Sequence, residues 1–181
     1  MTEKYAEAVA ALERFALCEA NVQLACYWLS LWKDDAPPPR AAFNPARTRN
    51  LLPGMTLFEI NAFGDIVCRL AGTAVDAALG FSIAGKSLLK FVPPDKQHTR
   101  QRRLSCLVDG AVAVARSTYR DPTGALRTME NLNLPFDGES ETGARQFLIH
   151  SNIRPTIQEK LRRPAVWHAG YPEEFHLQRF A

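Results

Sequence analysis

Met55-Thr56-Leu57-Phe58-Glu59-Ile60, then Phe63-Gly64-Asp65, then Ile66-Val67-Cys68-Arg69-Leu70: this stretch decides the fold. Before it, apolar residues recur at the three- and four-residue steps of a helix. Here the period falls to two, that of a strand whose side chains alternate between faces. Phe63-Gly64-Asp65 is a tight turn, so the two runs predict an antiparallel hairpin.

Downstream, Thr73-Ala74-Val75-Asp76 predicts a short helix, with Thr73 as its cap and an acid three residues later. Gly80 closes that helix as a left-handed C-terminal residue. Ser82 to Phe91 reads as a further short helix or turn. Pro93-Pro94-Asp95 starts a helix that carries His98 to Val108 and stops at Asp109-Gly110. Three strands follow, at about Val112–Arg120, Leu126–Leu134 and Gln146–Ile153. Asp121-Pro122-Thr123-Gly124 and the loop Asp137-Gly138-Glu139-Ser140 separate them.

Upstream, Tyr5, Ala8, Leu12, Phe15, Glu19, Val22, Cys26 and Leu29 are spaced alternately by three and four. All but Glu19 are apolar or small, which makes a helical packing seam. One helix of about 30 residues would be roughly 45 Å long, and a second copy of the chain would cover it. Two shorter helices, the second capped at Asn21, are equally allowed and would lie on their own domain. Leu12, Phe15, Val22 and Leu29 are the candidate homodimer contacts. Pro37-Pro38-Pro39 ends this segment. Asn44-Pro45 then predicts a cap and first residue of a short helix running to about Leu52, stopped by Pro53-Gly54. The expected organisation is residues 1–36 as a helical segment, 37–154 as the main domain and 155–181 as a C-terminal extension.

This order implies an α+β domain: a five-stranded antiparallel sheet with its intervening helices on one face and a pocket between them. The residues also resemble a PAS subgroup found largely in alphaproteobacteria. Tyr27-Trp28-Leu29, Pro39-Arg40, Asn44-Pro45, Leu51-Leu52-Pro53, Arg69-Leu70-Ala71-Gly72-Thr73, Gly80 and Gly85-Lys86 carry the likeness. The resemblance implies strand order second, first, fifth, fourth, third, and signal reception or protein association. It brings no catalytic residue and no cofactor, and the cofactor is left unassigned.

Composition limits the alternatives. The 181 residues are 46% hydrophobic and 23% charged, with 22 basic and 19 acidic residues and a net charge of +3. That is ordinary globular composition, too weakly basic to imply nucleic-acid binding. No apolar run reaches the roughly 18 residues needed to cross a bilayer, and Met1-Thr2-Glu3-Lys4 lacks the basic start of a secretion signal. The expectation is a cytoplasmic bacterial protein with no membrane or nucleic-acid partner. Cys18, Cys26, Cys68 and Cys106 form no CxxC pair and read as free thiols.

The chemistry-bearing residues are few. Alternation along Leu126, Thr128, Glu130, Leu132 and Leu134 sets Glu130 on a mainly apolar face, where a carboxylate must be paired, hydrogen-bonded or protonated. Arg69 or a ligand is its expected partner, unless a bulge shifts the register and exposes it. Arg69, Tyr119, Glu130 and His150 form the candidate ligand pocket. Gly72 lets the chain turn from strand to helix. Trp28 and Trp32, four apart, pack on the sheet rather than on a ligand. His98, among Lys96, Arg100, Arg102 and Arg103, suits an exposed helix better than a haem slot. The Arg100–Arg103 run reads as a solvated helix face. No cysteine stands where flavin photochemistry needs one. His150, His168 and His176 form no metal pattern. Gly80 to Ser87 matches a phosphate loop in spacing alone, because a helix rather than a buried parallel strand precedes it.

The leading expectation is a non-enzymatic, stand-alone sensory module. It binds a small molecule and signals to a partner protein through its N-terminal helices. With no kinase, cyclase or DNA-binding segment attached, it acts on another chain. The alternatives are a ligand-free adaptor and, from a different class, a small cone-like α+β enzyme with Glu130 and His150 as acid and base.

Overall fold

A computed structural model describes residues 3–33, 36–92, 94–108, 110–155 and 174–178. The period-two stretch forms Met55–Ile60 (β1) and Ile66–Ala71 (β2), paired antiparallel. Gly64 sits in the turn with φ +77°, which a side chain would strain. Thr73–Leu79 (α3), a 3-10 turn at Leu88–Phe91 and Pro94–Val108 (α4) follow. Val112–Arg120 (β3), Leu126–Glu139 (β4) and Arg145–Pro155 (β5) complete the five expected strands. All pairings are antiparallel, and β2, β1, β5, β4 and β3 lie in the expected order.

A sixth strand, Glu174–Gln178 (β6), pairs antiparallel with β3 from Val112 to Arg116. Part of the C-terminal extension therefore belongs to the sheet. Its alternation is too short to separate from a polar tail by sequence.

The N-terminal segment is two helices, Glu3–Arg14 (α1) and Glu19–Ser30 (α2). The joint holds Ala16 at φ +47°, a left-handed conformation that breaks the seam despite its unbroken spacing. Both helices lie on the sheet, so its two faces are covered, not one. Leu12, Phe15, Leu24 and Trp28 share an outer core with Leu57, Val114, Leu132 and Leu148. The inner core joins Phe58, Ile66, Val75, Leu104, Leu107 and Phe147, with the Phe58 and Phe147 rings stacked at 5.4 Å. Each such buried side chain contributes roughly 1.5–3 kcal/mol. Trp28 is anchored further, its Nε1 donating to the Pro135 carbonyl at 3.0 Å.

Three local readings change. The helix expected from Asn44 to Leu52 is a pair of 3-10 turns, Pro45–Thr48 and Leu52–Gly54; the Thr48 hydroxyl donates to the Pro45 carbonyl at 3.3 Å, in competition with an α-helical backbone bond. The proline segment pairs with the far end of β4, Asp137 N donating to Pro38 O at 3.0 Å. Thr73 does not cap α3: Gly72 holds the cap position with no side-chain hydrogen bond, and Thr73 is the first helical residue. Gly72 has an ordinary φ of −75°, so no sharp turn demands it. What demands it is proximity, since a Cβ there would lie 2.3 Å from the carbonyl oxygens of Leu52 and Pro53. Gly80 does close α3 in the left-handed region, at φ +78°. Among the described residues no helix is long and apolar enough to cross a membrane.

Candidate functional site

Strand alternation gives every polar residue of the sheet a side. On β3, β4 and β5 the positions of Val114, Leu132 and Leu148 face the N-terminal helices, and Arg116, Glu130 and His150 share that parity. These three meet α1 and α2, whereas Tyr119 has the opposite parity and belongs to the inner side.

Glu130 is the hub. Its Oε1 accepts from the Cys18 backbone N–H at 2.9 Å and from Asn21 Nδ2 at 2.8 Å. Its Oε2 accepts from Arg116 Nε at 2.9 Å. The Arg116 Nη2 donates to the carbonyls of Phe15 at 2.5 Å and Ala16 at 3.1 Å, at the joint between the helices. Carbonyls at the end of a helix lack intrahelical partners, and a guanidinium satisfies them while opposing the negative end of the helix dipole. Asn21, completely buried, uses its other atom on His150: Oδ1 lies 2.6 Å from Nδ1. Asn21 Nδ2 already donates to Glu130, so Oδ1 accepts and the His150 proton sits on Nδ1. The opposite edge of the ring lies against Gly54, where a Cβ would come within 2.9 Å of Nε2.

Electrostatics follow the geometry. Burial pushes His150 down to about 4, against a smaller upward pull from Glu130, so the ring is neutral near pH 7. Burial alone would raise Glu130. Hydrogen bonds from Asn21, Cys18 and Arg116 outweigh it and hold the carboxyl below its usual range. Asn152 reaches the same joint, donating from Nδ2 to Cys18 Sγ.

Of the four expected pocket residues, Glu130 and His150 are brought together through Asn21, while Arg69 and Tyr119 lie apart from them. Arg69 pairs with Glu59 at 2.5 Å, and Glu59 Oε1 accepts from Gln146 at 2.7 Å. The partner of Glu130 is Arg116, not Arg69, because Glu59 sits on the neighbouring strand while Glu130 is two strands farther across the sheet. Of the dimer candidates, Leu12 and Phe15 are buried in the chain's own core and Leu29 is partly buried against it. Val22, 44% exposed, is the one left open to a second copy. His98 is exposed on α4 and His176 lies on β6, while His168 falls outside the described residues. Among the described residues no group of three or more His, Cys, Asp or Glu could hold a metal ion.

The sequence did not reveal a groove of about 430 Å³ on the outer face, where the 3-10 turns meet β1 and β2. Leu57, Leu148 and Phe43 contribute to its lining, with Leu70, Ala71, Gly72 and Thr73 along one side and Arg40 and Arg49 also lining it. Several residues that carry the PAS likeness, from Arg40 to Thr73, gather there. That convergence was the available signal, but the linear sequence does not show that these segments meet.

The PAS_5 family model, described as PAS domain, matches residues 18–149. Among solved structures, the PAS domain of an HTR-like protein from Haloarcula marismortui is 21% identical, with 60% of this chain and 90% of that one covered and a TM-score of 0.41. A fungal LOV domain photoreceptor is 14% identical, with 79% and 98% covered and a TM-score of 0.41. A PAS domain from Colwellia psychrerythraea is 13% identical, with 62% and 98% covered and a TM-score of 0.38. No curated protein matches the chain. The family match spans well over half of the sequence, from the start of α2 to the middle of β5: the chain belongs to the PAS domain family.

Proposed function

We propose that this protein is a sensory PAS module that binds a small molecule and passes its state to a partner protein through α1 and α2. The supporting observation is the attachment of those helices. Glu130, Arg116 and His150, on three adjacent strands, hold the α1–α2 joint by directional hydrogen bonds. A change in strand position therefore acts on the helices at a fixed point. The module needs no catalytic group for this and works on another chain, with Val22 available to a second copy. Native mass spectrometry of gently purified protein, paired with hydrogen exchange over α1 and α2, tests the reading. A bound small molecule whose removal speeds or slows exchange there supports it; full occupancy changes with no response in the helices reject it.

One observation favours a second reading, the ligand-free adaptor. Phe58, Ile66, Leu104, Leu107 and Phe147 pack together on the inner face. An adaptor predicts no co-purifying molecule and a partner that binds the protein as isolated. The acid–base enzyme reading meets Asn21 between Glu130 and His150. A Glu130→Ala variant that keeps all biological activity removes it.

A further inference from the structure

We propose that the outer-face groove is a binding site for a small amphipathic carboxylate, an apolar body carrying one anionic head. The inference deepens the sensory reading and rests on it for its biological meaning, while its chemistry stands on the groove alone.

The groove holds about 430 Å³, within the range of small-molecule sites. Its lining is mainly apolar, from Phe43, Leu57, Leu70 and Leu148, and among the described residues includes no acidic one. Leu70 is 60% exposed and Leu52, also lining the groove, is one of the few other large hydrophobic side chains left exposed. Apolar surface gathered at a concavity invites an apolar ligand.

The two cations set the sign of the head group. Arg40 is positioned: Nη1 donates to the Phe43 carbonyl at 3.3 Å, and its guanidinium carbon lies 5.8 Å from the Phe136 ring centroid. Arg49 is exposed; its backbone carbonyl accepts from Leu52 N at 3.4 Å, but its guanidinium has no hydrogen bond or ion pair among the described residues. A guanidinium without a carboxylate, beside an apolar surface, complements a carboxylate in fork geometry. A cationic ligand would meet two positive charges with no compensating acid among the described lining residues, and a neutral one would leave Arg49 unused.

The probe is 8-anilinonaphthalene-1-sulfonate, titrated into the full chain by fluorescence and then displaced by octanoate, 1-octanol or acetate. Saturable binding is expected. Octanoate should displace the probe at least roughly ten-fold better than 1-octanol, as a charge-assisted hydrogen bond to the head group requires. Acetate, which has no apolar body, should fail. Arg49→Glu, at an exposed position, should weaken octanoate by about ten-fold or more. Leu70→Glu, which sets an anion in the groove at an exposed position, should abolish octanoate binding, while Arg102→Glu, exposed on α4, should change nothing. Equal displacement by the alcohol, or an Arg49→Glu variant that is folded by circular dichroism and binds octanoate normally, overturns the assignment. If octanoate binds and exchange over α1 and α2 is unaffected, the site stands and the relay reading falls. If octanoate fails while another small molecule co-purifies, the groove assignment falls and the relay reading stands.

Discussion

Asn21→Ala is the most informative single change, because one buried side chain joins a helix to two strands. Its Nδ2 donates to the Glu130 carboxylate at 2.8 Å and its Oδ1 accepts from His150 Nδ1 at 2.6 Å. Truncation removes a hydrogen bond to a charged group, about 1.5–3 kcal/mol, and strands the buried imidazole N–H, about 1–3 kcal/mol. Glu130 keeps the Cys18 amide and Arg116, which limits its loss. The expected cost is about 3–4 kcal/mol, a large share of the roughly 5–15 kcal/mol that holds a domain folded. In a chain of this size that corresponds to a fall in Tm of about 6–16 °C. Urea unfolding followed by tryptophan emission measures it, since Trp28 lies in the outer core on the same helix as Asn21. A His150→Phe background removes the stranded N–H, so a double-mutant cycle should return a coupling of at least about 1 kcal/mol. A loss below about 1 kcal/mol with an unchanged m-value would refute the reasoning. It would mean that apolar contacts alone seat the helices.

His150 makes stability depend on pH. Its folded pKa, about 4, lies below its ordinary 6.5, so the unfolded chain binds more protons between those values. The contribution is complete above about pH 6.5 and fades toward pH 4, by roughly 3 kcal/mol. His150→Gln should flatten that slope in a urea series. Glu130, lowered by its hydrogen bonds, adds a separate loss below the ordinary glutamate range as it takes up a proton. Gly72→Ala should cost about 1–3 kcal/mol, because both carbonyl oxygens within 2.3 Å of the new Cβ are backbone atoms and cannot rotate away. A Tm within 2–3 °C of the parent, for a cost under about 1 kcal/mol, would reject that account. Alkylation by iodoacetamide at pH 8, mapped by mass spectrometry, should label exposed Cys26 first. It should leave Cys68 unmodified until the chain unfolds, because burial raises that thiol to about 11.

The sheet was legible because its signals are local. Alternation in Met55–Ile60, the Phe63-Gly64-Asp65 turn and Asp121-Pro122-Thr123-Gly124 each act within a few residues. Asp121 shows why: its Oδ1 accepts from Thr123 N at 2.9 Å and Ala125 N at 3.0 Å, closing the turn by itself. Alternation also put Glu130 on a mainly apolar face correctly, but it does not say which layer covers that face. With helices expected on one side only, an inward-facing carboxylate read as part of a ligand pocket. Once α1 and α2 cover the second side, the same parity makes Glu130 an anchor for them. The break at Ala16 left no trace in the spacing, because it depends on Arg116, a hundred residues later, holding the Phe15 and Ala16 carbonyls.

Two kinds of attachment hold α1 and α2, and they respond differently to movement. Apolar contact is non-directional and tolerates sliding; a hydrogen bond weakens steeply once its angle or length departs from ideal. The Asn21–Glu130–Arg116 end of the helices is therefore a pivot. The Trp28 end is tied to the sheet by the bond to Pro135 alongside apolar contacts, and its Tyr27 hydroxyl bonds the Asn44 backbone outside the sheet, so relative to the strands it has more freedom. Leu57 and Leu148 belong both to that outer core and to the groove lining, so a ligand that displaces them pushes on the freer end. Octanoate should then change hydrogen exchange more in the C-terminal turns of α2 than at Asn21. In Asn21→Ala the response should spread along α2, because the fixed point is gone. A response confined to α2's first turn in the parent protein would contradict the pivot, since it would place the freedom where the hydrogen bonds are.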